Sequence, residues 1–397
     1  MNEKMKEKTE RAAEILMTAG FLLMTLCVIV VTILRPKQDT SYFENRSLST
    51  FSGSGDIAGL ERALCDNAAF RTTLSGWKAW CDIHLLHRPV VNGVVVTDGT
   101  VLFPYEKYEK IDLSSILENS DRMGQDLAAL CDSVKEYGGT FLYAAVPSKF
   151  AYDADLYPWY LNNREEYNRE VTAAFFAALE RYEVPYLDIG EVWTKEDGAP
   201  RYLSAVDHHY TWDGCFSAYR AVMERLEEDG GRALSVLSEE DLEIRTAPNP
   251  FLGSYARMLC RKWRLDEPFR YGVLREEIPF TRYNWENPEP AKAVLFSFPA
   301  LWWEDLTFTA YMGGDIGETI IKTDRQELPS LLIFGDSYTN GLETLMYASF
   351  DEMRSLDLRH REGDILAYIR EYQPDYVVCV RDYEQFLNFT GNGRIGS

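Results

Sequence analysis

Apolar residues along this chain fall into one long unbroken run followed by a series of shorter, periodic ones. The long run is Ile15–Leu34, which carries no charge. At about 1.5 Å of rise per residue it matches a hydrocarbon core about 30 Å thick, which predicts a transmembrane helix. Lys4, Lys6, Lys8 and Arg11 precede it, and Arg35 and Lys37 follow it. That bias predicts residues 1–14 in the cytoplasm, an anchor over 15–34 and residues 35–397 outside the cell membrane. A cleaved signal peptide has a shorter apolar core, about 7–15 residues, and a small-residue cleavage site. Arg35-Pro36-Lys37 stands there instead, so a retained single-pass anchor is expected.

The shorter runs alternate in period. Between Ile57 and Leu86 apolar residues recur three and four apart (Leu60, Leu64, Phe70, Leu74, Trp77, Ile83), predicting a helix. Val90–Val96 is β-branched, and Asp98-Gly99 turns it toward Val101-Leu102-Phe103 as a hairpin. A helix from Ser114 to Tyr137 stops at Gly138-Gly139, and Thr140–Val146 then reads as a buried strand. A second helix over residues 164–182 leads to the short strand Tyr186–Ile189. A third helix starts near Asp213 and runs to Glu228. Residues 242–308 are rich in aromatics, Pro and Arg, and are expected to form an insertion or lid. Ser330–Phe334 returns as a buried strand, feeds Gly335-Asp336-Ser337 and then a helix. A last helix near 364–372 precedes the strand Tyr376–Val380. Such alternation predicts an α/β fold: a mostly parallel sheet with helices on its faces.

Composition narrows the partners. With 46% hydrophobic residues the chain can bury a sizeable core, as one large domain or two smaller ones. The net charge of −22 argues against nucleic acid, whose phosphates need clustered Lys and Arg. It also disfavours strong electrostatic attraction of the soluble part to an anionic membrane. Cys27 lies in the anchor. The other cysteines (Cys65, Cys81, Cys131, Cys215, Cys260, Cys379) show no CxxC or Cys/His spacing, so no metal is expected from them. Outside the cytoplasm six cysteines can pair; the other reading is small buried hydrophobes, which suits Cys131 and Cys379 best.

Two short words carry the chemistry. Ser337 follows an apolar strand and a turn and precedes a helix, which places its hydroxyl at the C-terminal edge of the sheet and at a helix N-terminus. Gly335 permits close backbone approach there. A plain N-cap is the competing reading of Ser337. In extended structure Asp207 and His209 project to one side, so the carboxylate can fix the imidazole tautomer and the imidazole can take the serine proton. His208 then points elsewhere. Competing readings are a helix cap from Asp207 or Thr211, packing histidines, or a metal site, for which no third protein ligand of suitable spacing is visible. Asn340, one turn after Ser337, is a candidate oxyanion donor or a helix-surface amide. Tyr210 and Tyr338 flank base and nucleophile and are candidates for lining a sugar site, with core packing as the alternative. Trp302-Trp303 is read as core or lid packing, with carbohydrate stacking as the alternative.

In order along the chain, these words resemble the DHHW family of bacterial proteins, which is similar to the AlgJ- and AlgX-type alginate O-acetylation proteins of the SGNH hydrolase-like superfamily. The resemblance rests on Tyr42–Leu48, the hairpin Val95–Phe103, Val146-Pro147-Ser148-Lys149, Asp207-His208-His209-Tyr210-Thr211, Tyr311-Met312-Gly313-Gly314-Asp315 and Gly335-Asp336-Ser337-Tyr338. Tyr210 stands where the family name has Trp. The resemblance implies a three-layer α/β/α fold with Ser337 as nucleophile, His209 as base and Asp207 as its orienter, and no cofactor. It further implies O-acetylation of an exported polysaccharide, with a membrane-bound O-acyltransferase as acyl supplier. An acetyl esterase built on the same three residues, and a non-catalytic surface glycan-binding or assembly protein, are the alternative readings.

Overall fold

The unbroken apolar run is helical from end to end. In the computed structural model, which describes residues 3–34, 38–44, 46–49, 57–96, 101–105, 112–162, 164–193, 199–263, 265–284, 287, 289–383 and 387–395, helix α1 spans Glu3–Leu34. Among the described residues it is the one helix long and apolar enough to cross a membrane. Thr18, Thr25 and Thr32 each return their hydroxyl to the carbonyl four residues back, so the run holds no unsatisfied hydroxyl there.

The single helix expected over residues 57–86 is two, α2 (Ile57–Asn67) and α3 (Arg71–His84). Phe70 breaks them, with φ of 61° in the left-handed region. The break follows from polar side chains spent at the end of α2. Asp66 is buried and accepts two hydrogen bonds from Arg46, at 2.6 and 2.9 Å, and one from the Ser49 N–H. Hydrogen bonding to Arg46 outweighs burial and holds its carboxyl well below the usual range. Glu44 pairs with Arg71 at the start of α3. The Tyr42–Leu48 motif is therefore a polar clasp on this corner, with Asn45 outside the described residues. The hairpin turn Asp98-Gly99 and Arg35-Pro36-Lys37 also lie outside them.

Residues 1–94 with 256–264 form one compact unit, and 95–255 with 265–397 a second. The second holds the sheet. Its longer helices are α4 (Leu113–Lys135), α5 (Glu165–Arg181), α6 (Trp212–Gly230), α7 (Tyr338–Met346) and α8 (Ile365–Tyr372). Its sheet strands are β1 (Thr140–Val146), β2 (Tyr186–Asp188), β3 (Thr281–Asn284), β4 (Glu318–Lys322), β5 (Leu331–Gly335), β6 (Glu352–Asp357) and β7 (Tyr376–Asp382). They lie in the order β3-β4-β6-β5-β7-β1-β2. From β6 to β2 every pairing is parallel, while β3 and β4 form an antiparallel edge.

Strand period decides which helices cover which face. Leu142, Ala144, Leu331, Ile333, Val378 and Val380 enter one core with α6 and α7. Their neighbours Phe141, Tyr143, Leu332, Phe334, Val377 and Cys379 enter the other, with α4, α5 and α8. A parallel strand covered on both sides needs apolar residues at every position, which is why these segments read as continuous runs. The result is a three-layer α/β/α domain. Within 242–308, expected as an insertion or lid, Leu242–Thr246 pairs with Arg270–Leu274, β3 joins the sheet, and Leu242, Phe269 and Leu306 are buried in the first core. All seven cysteines are free thiols, with Cys131, Cys215, Cys260 and Cys379 buried.

Candidate active site

Ser337 follows the end of β5. Gly335, the last residue of that strand, pairs with Val380 of β7, and a Cβ at 335 would collide with the Val380 carbonyl oxygen. Strand packing therefore requires glycine at 335, where the two backbones approach closely. Asp336 then shapes the turn: its carboxylate accepts from the Tyr338 N–H at 3.0 Å and its carbonyl from the Thr339 N–H at 2.9 Å. Burial raises its pKa, with Arg381 acting in the other direction. The Ser337 side chain makes no capping bond to α7. Its Oγ lies 2.6 Å from His209 Nε2.

The histidine comes from a bent loop rather than the extended segment expected. Leu203 and Tyr210 form an antiparallel bridge, and the Ser204 N–H donates to the His209 carbonyl at 2.9 Å. Ser204 Oγ accepts from the N–H groups of Val206 and Asp207, turning the chain. Thr211 then caps α6, accepting from the Gly214 N–H.

Asp207 and His209 still meet, with His209 Nδ1 at 3.0 Å from Asp207 Oδ1. A carboxylate has no proton to give, so Nδ1 carries the hydrogen and Nε2 faces Ser337 as an acceptor. Both groups are buried, Asp207 at 2% and His209 at 6% exposure. Burial pulls His209 down to about 4, so the imidazole is neutral at pH 7. Burial acts to raise Asp207, but the two imidazoles and their hydrogen bonds hold it well below the usual carboxylate range. Phe308 stacks on the His209 ring, 3.8 Å between centroids and 3° from parallel. The arrangement is an ionised acid, a neutral base and a hydroxyl in line, which is what proton abstraction from a serine requires.

Other expected residues fall differently. His208 does not point away: its Nδ1 lies 3.0 Å from Asp207 Oδ1 and 2.9 Å from Ser254 Oγ. Tyr210 and Tyr338, candidates for a sugar site, are buried and use their hydroxyls internally. Tyr210 donates to the Tyr338 carbonyl, and Tyr338 donates to the His208 carbonyl at 2.7 Å. They tie the histidine loop to the serine turn. Asn340 is buried one turn after Ser337 and donates to Asp315 at 3.0 Å. Trp302 and Trp303 are exposed, which corrects their assignment to packing.

Three contributors escaped the sequence reading. Ser254 donates to Asp207 Oδ1 at 2.8 Å; the signal was Gly253 before it, where a Cβ would strike the Val206 carbonyl. Lys149, in the Val146–Lys149 motif, is fully buried beneath the loop and donates to the carbonyls of Ser204 and Asp207. Burial lowers it to about 7. Glu267 receives the Ser204 hydroxyl and the Ala205 N–H, and burial raises its pKa. Neither Lys149 nor Glu267 follows from local spacing, because both act on a loop remote in sequence.

Among the described residues two clusters have metal-ligand composition, Asp207-His208-His209 and Asp315-Asp357-His360. In the first, Asp207 Oδ1 already accepts from His209 and Ser254. In the second, the Arg359 guanidinium bonds both carboxylates, at 2.9 and 2.6 Å, and supplies the positive charge a cation would bring.

Residues 102–296 match the family model for the SGNH hydrolase-like domain of the acetyltransferase AlgX. That span includes Asp207, His209 and Ser254 and ends before Ser337. Among solved structures, a DHHW family protein from Eubacterium siraeum is 19% identical, with 74% of this chain and 92% of that chain covered and a TM-score of 0.56. Bacillus cereus PatB1 is 18% identical, with 74% and 96% covered and a TM-score of 0.60, and it has also been solved with a sulfonyl adduct. The O-acetyltransferase domain of Pseudomonas putida AlgJ is 14% identical, with 75% and 93% covered and a TM-score of 0.46. No curated protein matches the sequence. Residues 102–296 are thus similar to an SGNH hydrolase-like domain, and the fold around them is an α/β domain with a mostly parallel sheet.

Proposed function

We propose that this protein is a membrane-anchored, extracytoplasmic O-acetyltransferase that modifies a cell-surface or secreted polysaccharide through an acetyl-serine intermediate. The observation that carries it is the continuous Asp207–His209–Ser337 hydrogen-bonded line, at 3.0 and 2.6 Å, with the imidazole neutral. In the first step His209 Nε2 takes the Ser337 proton as Oγ attacks the acetyl carbonyl. The Nε2 proton then passes to the departing group, leaving acetyl on Oγ. In the second step a sugar hydroxyl gives its proton to Nε2 and attacks the acetyl carbonyl. Collapse releases the acetylated sugar and returns the proton to Ser337. Asp207 stays ionised throughout and holds the ring in one tautomer. Asn340 spends one amide N–H on Asp315, and the second is the side-chain donor assigned to the developing oxyanion.

Support for acetyl transfer comes from the match of residues 102–296 to a domain of an acetyltransferase. Acetyl as the transferred group follows from likeness to that domain, and a polysaccharide acceptor from the resemblance to alginate O-acetylation proteins. The anchor reading rests on α1, whose most apolar 18-residue window within Glu10–Leu34 has a mean hydropathy of 2.5 and lies near the N-terminus. An acyl-supplying membrane-bound O-acyltransferase is the partner this topology calls for, since an external serine needs its acetyl group delivered across the bilayer.

The test is a partition experiment. The protein is given an activated acetyl ester, with and without polysaccharide from the producing cells, and acetyl on the polymer is weighed against free acetate. A transferase sends most acetyl to the polymer. Acetate alone, at a rate indifferent to the polymer, makes the protein an esterase. No Ser337-dependent turnover of either kind leaves a non-catalytic surface protein.

A further inference from the structure

The outer face of α3 is apolar where a solvent-facing helix is polar. Phe70, Leu74 and Trp77 recur four and three apart, and Leu74 and Trp77 are 61% and 63% exposed. The buried side of the same helix consists of Gly76, Ala79, Asp82 and Ile83. On α2 the pattern repeats, with Ile57, Leu60 and Leu64 exposed and Ala63, Asp66 and Asn67 buried. Single exposed apolar residues are ordinary; ordered rows on two consecutive helices mark a surface that is covered in use.

What covers it is indicated by the anchor. The Ala69 N–H, at the corner between α2 and α3, donates to Thr32 Oγ1 at 2.8 Å. Thr32 lies in the last turn of the apolar run, so a spanning α1 sets that corner at the edge of the hydrocarbon. Trp77 and Trp80 pack edge to face, 6.3 Å between ring centroids, and Trp is the side chain that favours the headgroup layer. Charge is locally permissive: residues 57–88 hold four Lys or Arg against three Asp or Glu, in a chain of net charge −22. The attraction is apolar, so the acidic balance of the whole soluble part does not oppose it.

We propose that the outer faces of α2 and α3 lie in the interfacial layer of the bilayer that α1 spans, as in-plane helices beside their own anchor. The proposal rests on the anchor reading and is independent of the chemistry at Ser337.

The full chain in phosphatidylcholine nanodiscs tests it, because the anchor contains no Trp. Lipid brominated near the headgroup is expected to quench part of the Trp emission. W77F/W80F is expected to lose most of that quenching, and W302F/W303F to keep it. No quenching, or equal quenching in wild type and W77F/W80F, overturns the proposal. A Cys81–Cys81 cross-link between chains in vesicles, without quenching, assigns the face to a second copy instead. Intact mass of the chain recovered from cell membranes guards the premise: loss of the first 34 residues removes the anchor and the proposal with it, while acetyl transfer at Ser337 is untouched by that result.

Discussion

Helices α3 and α7 both follow a sharp turn, and both carry apolar residues at helical spacing. They differ in what lies opposite. Every residue of α7, from Tyr338 to Met346, is buried between β5 and α6, whereas α3 buries only Gly76, Ala79, Asp82 and Ile83. Periodicity says that a helix has an apolar side; it does not say that protein will be found there. The consequence is functional. Burial on all sides fixes Ser337 at the head of α7, with its Oγ 2.6 Å from His209 Nε2. An apolar outer row leaves α3 free to engage lipid.

The contrast is broken most strongly at the acid. Asp207→Asn leaves the fold of the loop but removes the charge that fixes the His209 tautomer, and is expected to slow acylation by roughly 10³–10⁴. Rapid-mixing measurements of the first turnover read this, and Leu74→Asp on α3 is expected to leave the same rate unchanged. A rate for Asp207→Asn within tenfold of wild type would mean that the carboxylate does not orient the base.

Next come paired truncations. Leu345→Ala in α7 removes a side chain 1% exposed and is expected to cost about 2–5 kcal/mol. Leu74→Ala in α3, at 61% exposure, is expected to stay within about 0.5 kcal/mol in the absence of lipid. Urea unfolding compares them, and equal losses would show that protein, not lipid, covers α3.

pH separates the regions further. His209 has a folded value of about 4 against 6.5 ordinarily, so the unfolded chain binds the extra proton between these values. Its contribution to stability is complete above about pH 6.5 and is lost as pH falls through 4, the same range in which the base becomes protonated and acylation stops. His209→Gln is expected to flatten the dependence of unfolding free energy on pH between 4 and 6.5. An unchanged slope would assign the acid sensitivity to other groups.

The smallest effect is at the tie between loops. Tyr338→Phe removes one hydrogen bond to the His208 carbonyl and is expected to cost about 1 kcal/mol with a rate loss under about tenfold. A loss as large as that of Asp207→Asn would give the hydroxyl a role in the chemistry itself.

Much of the fold was legible because the central strands are covered on both faces, and continuous apolar runs such as Leu331–Phe334 and Tyr376–Val380 have few other uses. The meeting of Ser337, His209 and Asp207 was legible as three residue types at a strand exit and a polar loop. Their support was not. Lys149, Ser254 and Glu267 reach the 204–207 bend from distant parts of the chain, and a buried lysine looks in sequence like any surface lysine. Tyr210 and Tyr338 were read outward because a sequence shows the hydroxyl but not the carbonyl it meets. The 57–86 segment reads as one helix because Asp66 and Asn67 look like helix-surface polar residues, whereas they are buried in the Arg46 and Ser49 clasp.

The most direct test of the account is the mass of the Ser337 peptide after brief exposure of the full chain to p-nitrophenyl acetate. One acetyl group on Ser337 in the wild type, absent in His209→Ala, is the predicted result. Acetyl carried by another residue, or equal labelling of Ser337 without His209, would contradict it.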